Sequence, residues 1–316
     1  MIACAGCSGP QSALDPAGRG ADQIATLFWW MTAGALVVWV GVIALTVYAI
    51  RARPAAAGKH WVPMLIIGGG AVVPTVVLAG LLTYGLAMLP PLLAPPPEGS
   101  LKISVVGEQW WWRVRYQPST GEPVDLANEI RLPVGEPVAF ELSSPDVIHA
   151  FWIPALGGKI DMIPGRRTRL TLEPTRTGVF RGVCAEYCGA SHAQMAFDVV
   201  VMEQADFARW LEAQRAPAVA PEPGPSAVGR DRFFANGCSA CHTVRGTEAR
   251  GFAGPDLTHV GSRRTLGAGI IPNTTRGFLR WLEETDRVKP GVHMPHFRML
   301  PREELDALAA YLESLQ

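Results

Sequence analysis

The sequence lacks any surplus of charge: 28 Lys and Arg balance 28 Asp and Glu. Proteins that bind nucleic acid by neutralising phosphates need a basic surplus, so that class is set aside. Charge is also sparse, 18% of 316 residues against 48% hydrophobic, and the mean hydropathy is positive, which is high for a wholly soluble chain. Cysteine is scarce. The six fall as Cys4/Cys7, Cys184/Cys188 and Cys238/Cys241, each pair in a different chemical setting, which argues against a disulfide-stapled scaffold. No Cys follows Cys241, so the last pair lacks the partner pair that a zinc ribbon requires.

Charge is missing altogether from Leu27 to Ile50 and from Val62 to Leu89. Each run is long enough to span a bilayer core of ~30 Å. Trp29, Trp30 and Tyr48 sit near the ends of the first, as interfacial aromatics do. Pro63 opens the second, and Pro74 inside it predicts a kink. Neither run has the polar stripe of a helix buried in a soluble core, which is the competing reading. The connector carries Arg51, Arg53 and Lys59 and no acid, which places it in the cytoplasm and both flanks outside. Ahead of the first run, Met1–Cys7 is too short for a signal-peptide core. Ala5-Gly6-Cys7 nevertheless resembles the end of a bacterial lipoprotein signal with Cys7 as the lipidated residue, which implies a start upstream; the other reading is a free Cys pair.

Prolines are densest in two runs, 90–97 and 217–225, that read as linkers. They divide the chain into a segment 1–26, spans 27–50 and 62–89 around a loop 51–61, a Pro-rich spacer 90–100, a domain 101–214, a flexible linker 215–227 and a domain 228–316. The 101–214 domain reads as short strands separated by Pro and Gly, which predicts an all-β sandwich or barrel closed by a helix over 204–214.

Just before its last strand runs Cys184-Ala185-Glu186-Tyr187-Cys188-Gly189-Ala190-Ser191-His192-Ala193-Gln194-Met195. Two thiols, an imidazole and a thioether are the ligands that suit copper. A mononuclear blue-copper site uses one Cys, so the second suggests two metals sharing bridging sulfurs. His149 can close the site from a neighbouring strand; the other reading is a Cys184–Cys188 disulfide with His192 and Met195 as packing residues. In 228–316, Cys238-Ser239-Ala240-Cys241-His242 is the attachment signature of c-type haem, with His242 as proximal ligand. A redox dithiol or half a zinc site are the alternatives. Met294, in the Pro-flanked loop Lys289–Pro295, supplies the sixth ligand, with Met299 and His293 as other candidates. Leu305, Leu308, Ala309 and Leu312 share one face of a closing helix.

The two spans, Gly107-Glu108-Gln109-Trp110-Trp111-Trp112, the His149 segment, Leu156–Arg166 and the Cys184–Met195 loop together resemble subunit II of the haem-copper cytochrome c oxidases. The resemblance implies a multidomain membrane protein: a two-helix hairpin, a cupredoxin domain and, after it, an all-α class I cytochrome c domain whose fusion marks the caa-type oxidases. It implies the binuclear copper centre CuA, bridged by Cys184 and Cys188, completed by His149 and His192, with Met195 and the Glu186 carbonyl as weak outer ligands. It implies a magnesium ion reached by the Glu186 side chain at the subunit I contact; read without the family, Glu186 is an exposed loop acid. Trp110 matches the tryptophan through which electrons reach CuA. Strand alternation puts Trp110 and Trp112 on one face and Trp111 on the other, and sheet packing is the alternative role. The family carboxylate ahead of the second span is replaced by Lys59 and His60, which puts a subunit II acid at the proton channel in doubt.

The function so implied is subunit II of a terminal oxidase in a bacterial inner membrane. It is multi-pass, with both soluble domains on the periplasmic side. Electrons arrive at haem c from cytochrome c or a bc-type complex and pass by CuA to subunit I, where oxygen is reduced to water and protons are pumped. Subunit I and the other oxidase subunits are its partners, with no nucleic acid. The alternative is a membrane-tethered haem and copper carrier serving a different partner, which has no need of Glu186 or of the hairpin. A copper-delivery or storage protein would not need haem.

Overall fold

The computed structural model describes residues 7–51, 61–118 and 120–316. Cys4 and the connector residues Arg53, Lys59 and His60 lie outside them. The chain forms two compact units, Gln23–Pro95 and the rest.

The first unit is helical. Helix α1 spans Arg19–Arg51, longer at its start than the expected 27–50. Helix α2 (Trp61–Pro63) leads into a π-helical stretch Met64–Val72 and then α3, Val73–Leu93. Pro74 has no N–H to give, and the π-helical stretch lies directly ahead of it, with Val73 N–H bonded back to the Gly68 carbonyl. Helix α3 runs on through Pro90 and Pro91 to Leu93, so the spacer expected from residue 90 begins later. Both long helices are apolar enough to cross a membrane, and in each the most apolar window has none of its residues buried. Thr32, Thr46, Thr75 and Thr83 satisfy their hydroxyls within the helix, on the carbonyl four residues back at 2.7–2.8 Å. No water is then needed along the span.

The second unit opens with a β domain of two five-stranded sheets. Strands β1 (Leu101–Glu108), β2 (Trp111–Gln117), β3 (Val124–Ala127), β5 (Val138–Ser143) and β8 (Thr168–Leu172) form one sheet, in the order β3-β2-β1-β5-β8. Strands β4 (Glu129–Pro133), β6 (His149–Trp152), β7 (Ile160–Met162), β9 (Gly178–Cys184) and β10 (Ala196–Met202) form the other, in the order β4-β10-β9-β6-β7. The β1–β5 and β4–β10 pairs are parallel, so the chain crosses between the sheets rather than running as simple hairpins. Alternation along β1 and β2 sends Ile103, Val105, Trp112, Val114 and Tyr116 inward. Trp112, Phe151 and Phe197 meet at centroid distances of 4.9–5.8 Å in the core between the sheets. Helix α4 (Gln204–Ala213) closes the domain with Phe207 and Leu211. Trp110 lies ahead of β2, not within it, and Trp111 is half-exposed under the Arg113 guanidinium.

The segment before α1 is bound to this domain. Ala17 N–H donates to the Ala155 carbonyl at 2.7 Å, and the Ala17 and Pro10 carbonyls accept from Thr175 and Arg181 at 2.8 Å. Beyond α4, residues 216–224 carry no helix or strand, and α5 (Pro225–Ala235) starts inside the expected linker. That stretch is held: Ala218 N–H bonds the Arg245 carbonyl at 2.9 Å, and the His259 ring meets the Ala216 carbonyl at 3.0 Å. Helices α5, α6 (Thr275–Val288) and α7 (Arg302–Ser314) surround a second apolar core, beside a short hairpin β11 (Thr265–Leu266) and β12 (Ile271–Pro272). Any side chain at Gly229 would strike the Ala307 carbonyl at 1.9 Å, so glycine is what lets α5 touch α7. Leu305, Leu308, Ala309 and Leu312 are buried, as the α7 periodicity predicts.

Candidate functional site

Strand β9 ends on Cys184, β6 begins on His149, and the loop between β9 and β10 carries Cys188, His192 and Met195. The sheet brings β6 and β9 together, with Phe151 opposite Cys184. The two Sγ atoms are 3.7 Å apart. That is far beyond a disulfide bond of about 2.05 Å. His149 Nδ1 lies 3.8 Å from Cys184 Sγ, and His192 Nδ1 lies 3.5 Å from Cys188 Sγ. Met195 Sδ is 3.8 Å from Cys188 Sγ, and the Glu186 carbonyl is 3.1 Å from Cys184 Sγ. Each sulfur therefore has one imidazole and one weaker donor of its own. All six residues singled out from the sequence come together here.

The thiols titrate as a pair. The hydrogen bond from Cys188, aided by His149, pulls Cys184 far below the ordinary thiol range, against its burial. The same bond, with burial, pushes Cys188 far up. One proton thus remains between two sulfurs, and a cation that displaces it gains two thiolate ligands.

Sequence reading missed the supports. His149 Nε2 lies 2.9 Å from Asp146 Oδ1, which holds the Nε2 proton and leaves Nδ1 free to coordinate. Burial acts to raise the Asp146 carboxyl. Hydrogen bonds from His149, Val147 and Gln109 outweigh it and hold the group below its ordinary value. Burial would lower the His149 imidazole, and its bonds to Cys184 and Asp146 raise it instead. A side chain at Gly107 would crowd the His149 ring at 3.1 Å, which explains a glycine inside β1. Trp110 Nε1 and Gln109 Nε2 both donate to the Cys188 carbonyl, at 3.0 and 2.6 Å. The Glu186 carboxylate faces the Lys159 ammonium at 3.9 Å.

In the helical domain, Cys238 opens a 3₁₀ turn, and Cys241 is exposed at its end. Burial raises Cys238 to about 11. His242 is buried, its Nδ1 2.8 Å from the Pro255 carbonyl, which orients Nε2 away. Burial lowers its pKa, keeping the ring neutral as an iron ligand requires. A side chain at Gly254 would meet the His242 ring at 2.5 Å. Met294 packs partly buried on the second core, whereas Met299 is 67% exposed and His293 is exposed.

Residues 117–203 match the family cytochrome c oxidase subunit II, periplasmic domain, and residues 226–316 match the family cytochrome c. Among curated relatives, cytochrome c oxidase subunit 2 of Alkalihalophilus pseudofirmus is 32% identical, over 98% of this chain and 93% of the relative. That of Bacillus subtilis is 30% identical, over 98% and 94%. Among solved structures, the periplasmic domain of subunit II of cytochrome oxidase of Bradyrhizobium japonicum is 34% identical. It covers 38% of this chain and 97% of that one, at a TM-score of 0.36.

Proposed function

The chain belongs to the cytochrome c oxidase subunit II family with a fused cytochrome c domain, and on that footing we propose which of its residues hold the metals and pass the electrons. The family places it in a haem-copper terminal oxidase, with an electron-transfer role and with copper and haem c as its cofactors. When bound, the copper pair and the haem supply one-electron exchange without making or breaking bonds to substrate.

Cys184, Cys188, His149 and His192 would hold the copper pair, with Met195 and the Glu186 carbonyl as weaker donors beside it. The observation that carries this is the 3.7 Å sulfur pair with an imidazole beside each member. Thiolate, imidazole and thioether are ligands that copper accepts, and the β-frame fixes their spacing. The sulfurs and the His149 ring are buried and each has a protein donor beside it, so the site is built to exchange electrons rather than to take up substrate. Asp146 fixes the His149 tautomer. Trp110, hydrogen-bonded to the Cys188 carbonyl, is the route by which electrons reach the site.

Cys238 and Cys241 would attach the haem, and His242 and Met294 would ligate its iron; the partial burial of Met294 favours it over Met299. The Glu186 carboxylate, half-exposed beside Lys159, would supply a ligand to a magnesium ion at the subunit I contact. The helices cross a bacterial inner membrane as a two-span hairpin with both soluble domains outside. Soluble cytochrome c or a bc-type complex donates electrons at the haem, and subunit I receives them. The domain division is that expected, with the second apolar helix carried on to Leu93, the helical domain opening at Pro225 and the linker held against that domain. Metal analysis of the purified chain tests this: about two coppers and one haem iron per chain support it, and a single copper in the native chain overturns it.

A further inference from the structure

Two acids on the β domain have no part in the metal site and yet are buried. Glu129 is 7% exposed and Asp198 is 8% exposed. They are register partners on the neighbouring strands β4 and β10. An ionised carboxylate is not left buried without partners, because desolvation costs too much. Both find theirs on the helical domain. Glu129 Oε2 accepts from the Arg264 backbone N–H at 2.7 Å, while its other oxygen takes Arg131 at 2.9 Å. Asp198 Oδ2 accepts from the Thr265 hydroxyl at 2.7 Å.

The same turn reaches the metal loop. Ala196, next after Met195, donates its N–H to the Ala268 carbonyl at 3.1 Å. A second contact lies on the Met294 loop. Ser191 Oγ, between Cys188 and His192, donates to the Pro290 carbonyl at 2.7 Å. Gly291 lies so close that an added Cβ would meet the Trp110 ring at 2.7 Å. Arg113 makes a third, to the Phe252 carbonyl at 2.9 Å. Three separate segments of the helical domain thus grip the β domain.

We propose that Glu129 and Asp198 are positioning residues that seat the haem domain on the copper domain through the Arg264–Thr265 turn. Electrons then cross in one docked arrangement, with no swing on the 215–227 tether. This rests on the haem and copper assignments above. The transfer moves one electron from reduced haem to the oxidised copper pair, with no bond made or broken.

The test uses the full chain in detergent, native and with Glu129→Ala and Asp198→Ala combined. The Glu129→Gln and Asp198→Asn pair, which keeps one acceptor oxygen on each side chain for the Arg264 N–H and the Thr265 hydroxyl, is the rescue. Amide hydrogen exchange of 264–269 and 196 reports docking without needing either cofactor. Haem-to-copper equilibration after photoreduction, followed against glycerol, reports transfer. In the native chain the rate changes by less than about twofold over about a tenfold rise in viscosity. In the alanine pair those amides exchange at least about tenfold faster and the rate falls with viscosity, while the copper and haem spectra stay native. The amide pair behaves as native. Native exchange and rate in the alanine pair would overturn the proposal, as would a native rate that already falls in proportion to viscosity. Loss of copper or haem from the native chain would instead strike the metal assignment, and the exchange result would still decide the docking.

Discussion

Asp146 holds His149: its Oδ1 lies 2.9 Å from Nε2, so the other ring nitrogen is turned to the Cys184 sulfur. Removing that partner with Asp146→Ala frees the ring to rotate and to change tautomer. Copper retention against a competing chelator is expected to weaken about 10–100-fold. Asp146→Asn keeps an acceptor oxygen and loses less. Unchanged retention in Asp146→Ala would mean that β6 alone fixes the ring.

Met294 and Met299 separate cleanly. Met294 packs on the helical-domain core and Met299 is exposed, so Met294→Ala is expected to abolish the long-wavelength band of methionine-ligated ferric haem. Met299→Ala leaves the band intact. The reverse pattern would reassign the ligand.

The metal loop is legible in the sequence because its chemistry is local. Cys184, Cys188, His192 and Met195 lie on one short loop, and Cys238, Cys241 and His242 on one turn. His149 is legible only beside that loop. Asp146 is not: its role depends on β6 returning next to β9, a long-range pairing that no local spacing announces. Glu129 and Asp198 look like ordinary strand acids until a turn more than sixty residues later in the chain, from a different domain, lands on them. The linker misleads for the same reason. Its Pro and Ala content speaks of flexibility, and tertiary partners, Arg245 and His259 among them, hold it.

Tyr116 donates its hydroxyl to the Arg131 carbonyl at 2.9 Å and accepts from the Arg131 N–H at 2.7 Å, within a buried core. Tyr116→Phe strands both backbone groups. The expected loss is about 1–3 kcal/mol of β-domain stability, read from denaturant unfolding. A variant as stable as native would show that water replaces the hydroxyl.

Lys289 is 1% exposed, its ammonium 2.8 Å from the Gly267 carbonyl, and burial lowers its pKa from 10.5 to about 7. Between those values the unfolded chain binds the extra proton, so stability rises with pH across that window. Below about pH 7 the lysine is charged in both states and its burial cost is fully present. Lys289→Met is therefore expected to raise the melting midpoint most below about pH 7, with the gain fading toward pH 10.5. A gain that grows with pH would contradict this.

The most direct test of the central claim is low-temperature EPR with a metal count on the purified, copper-loaded full chain. The account predicts about two coppers per chain and a hyperfine pattern from one electron shared equally by both nuclei. A pattern from a single copper nucleus, or a copper-free chain with Cys184 and Cys188 oxidised to each other, would contradict it.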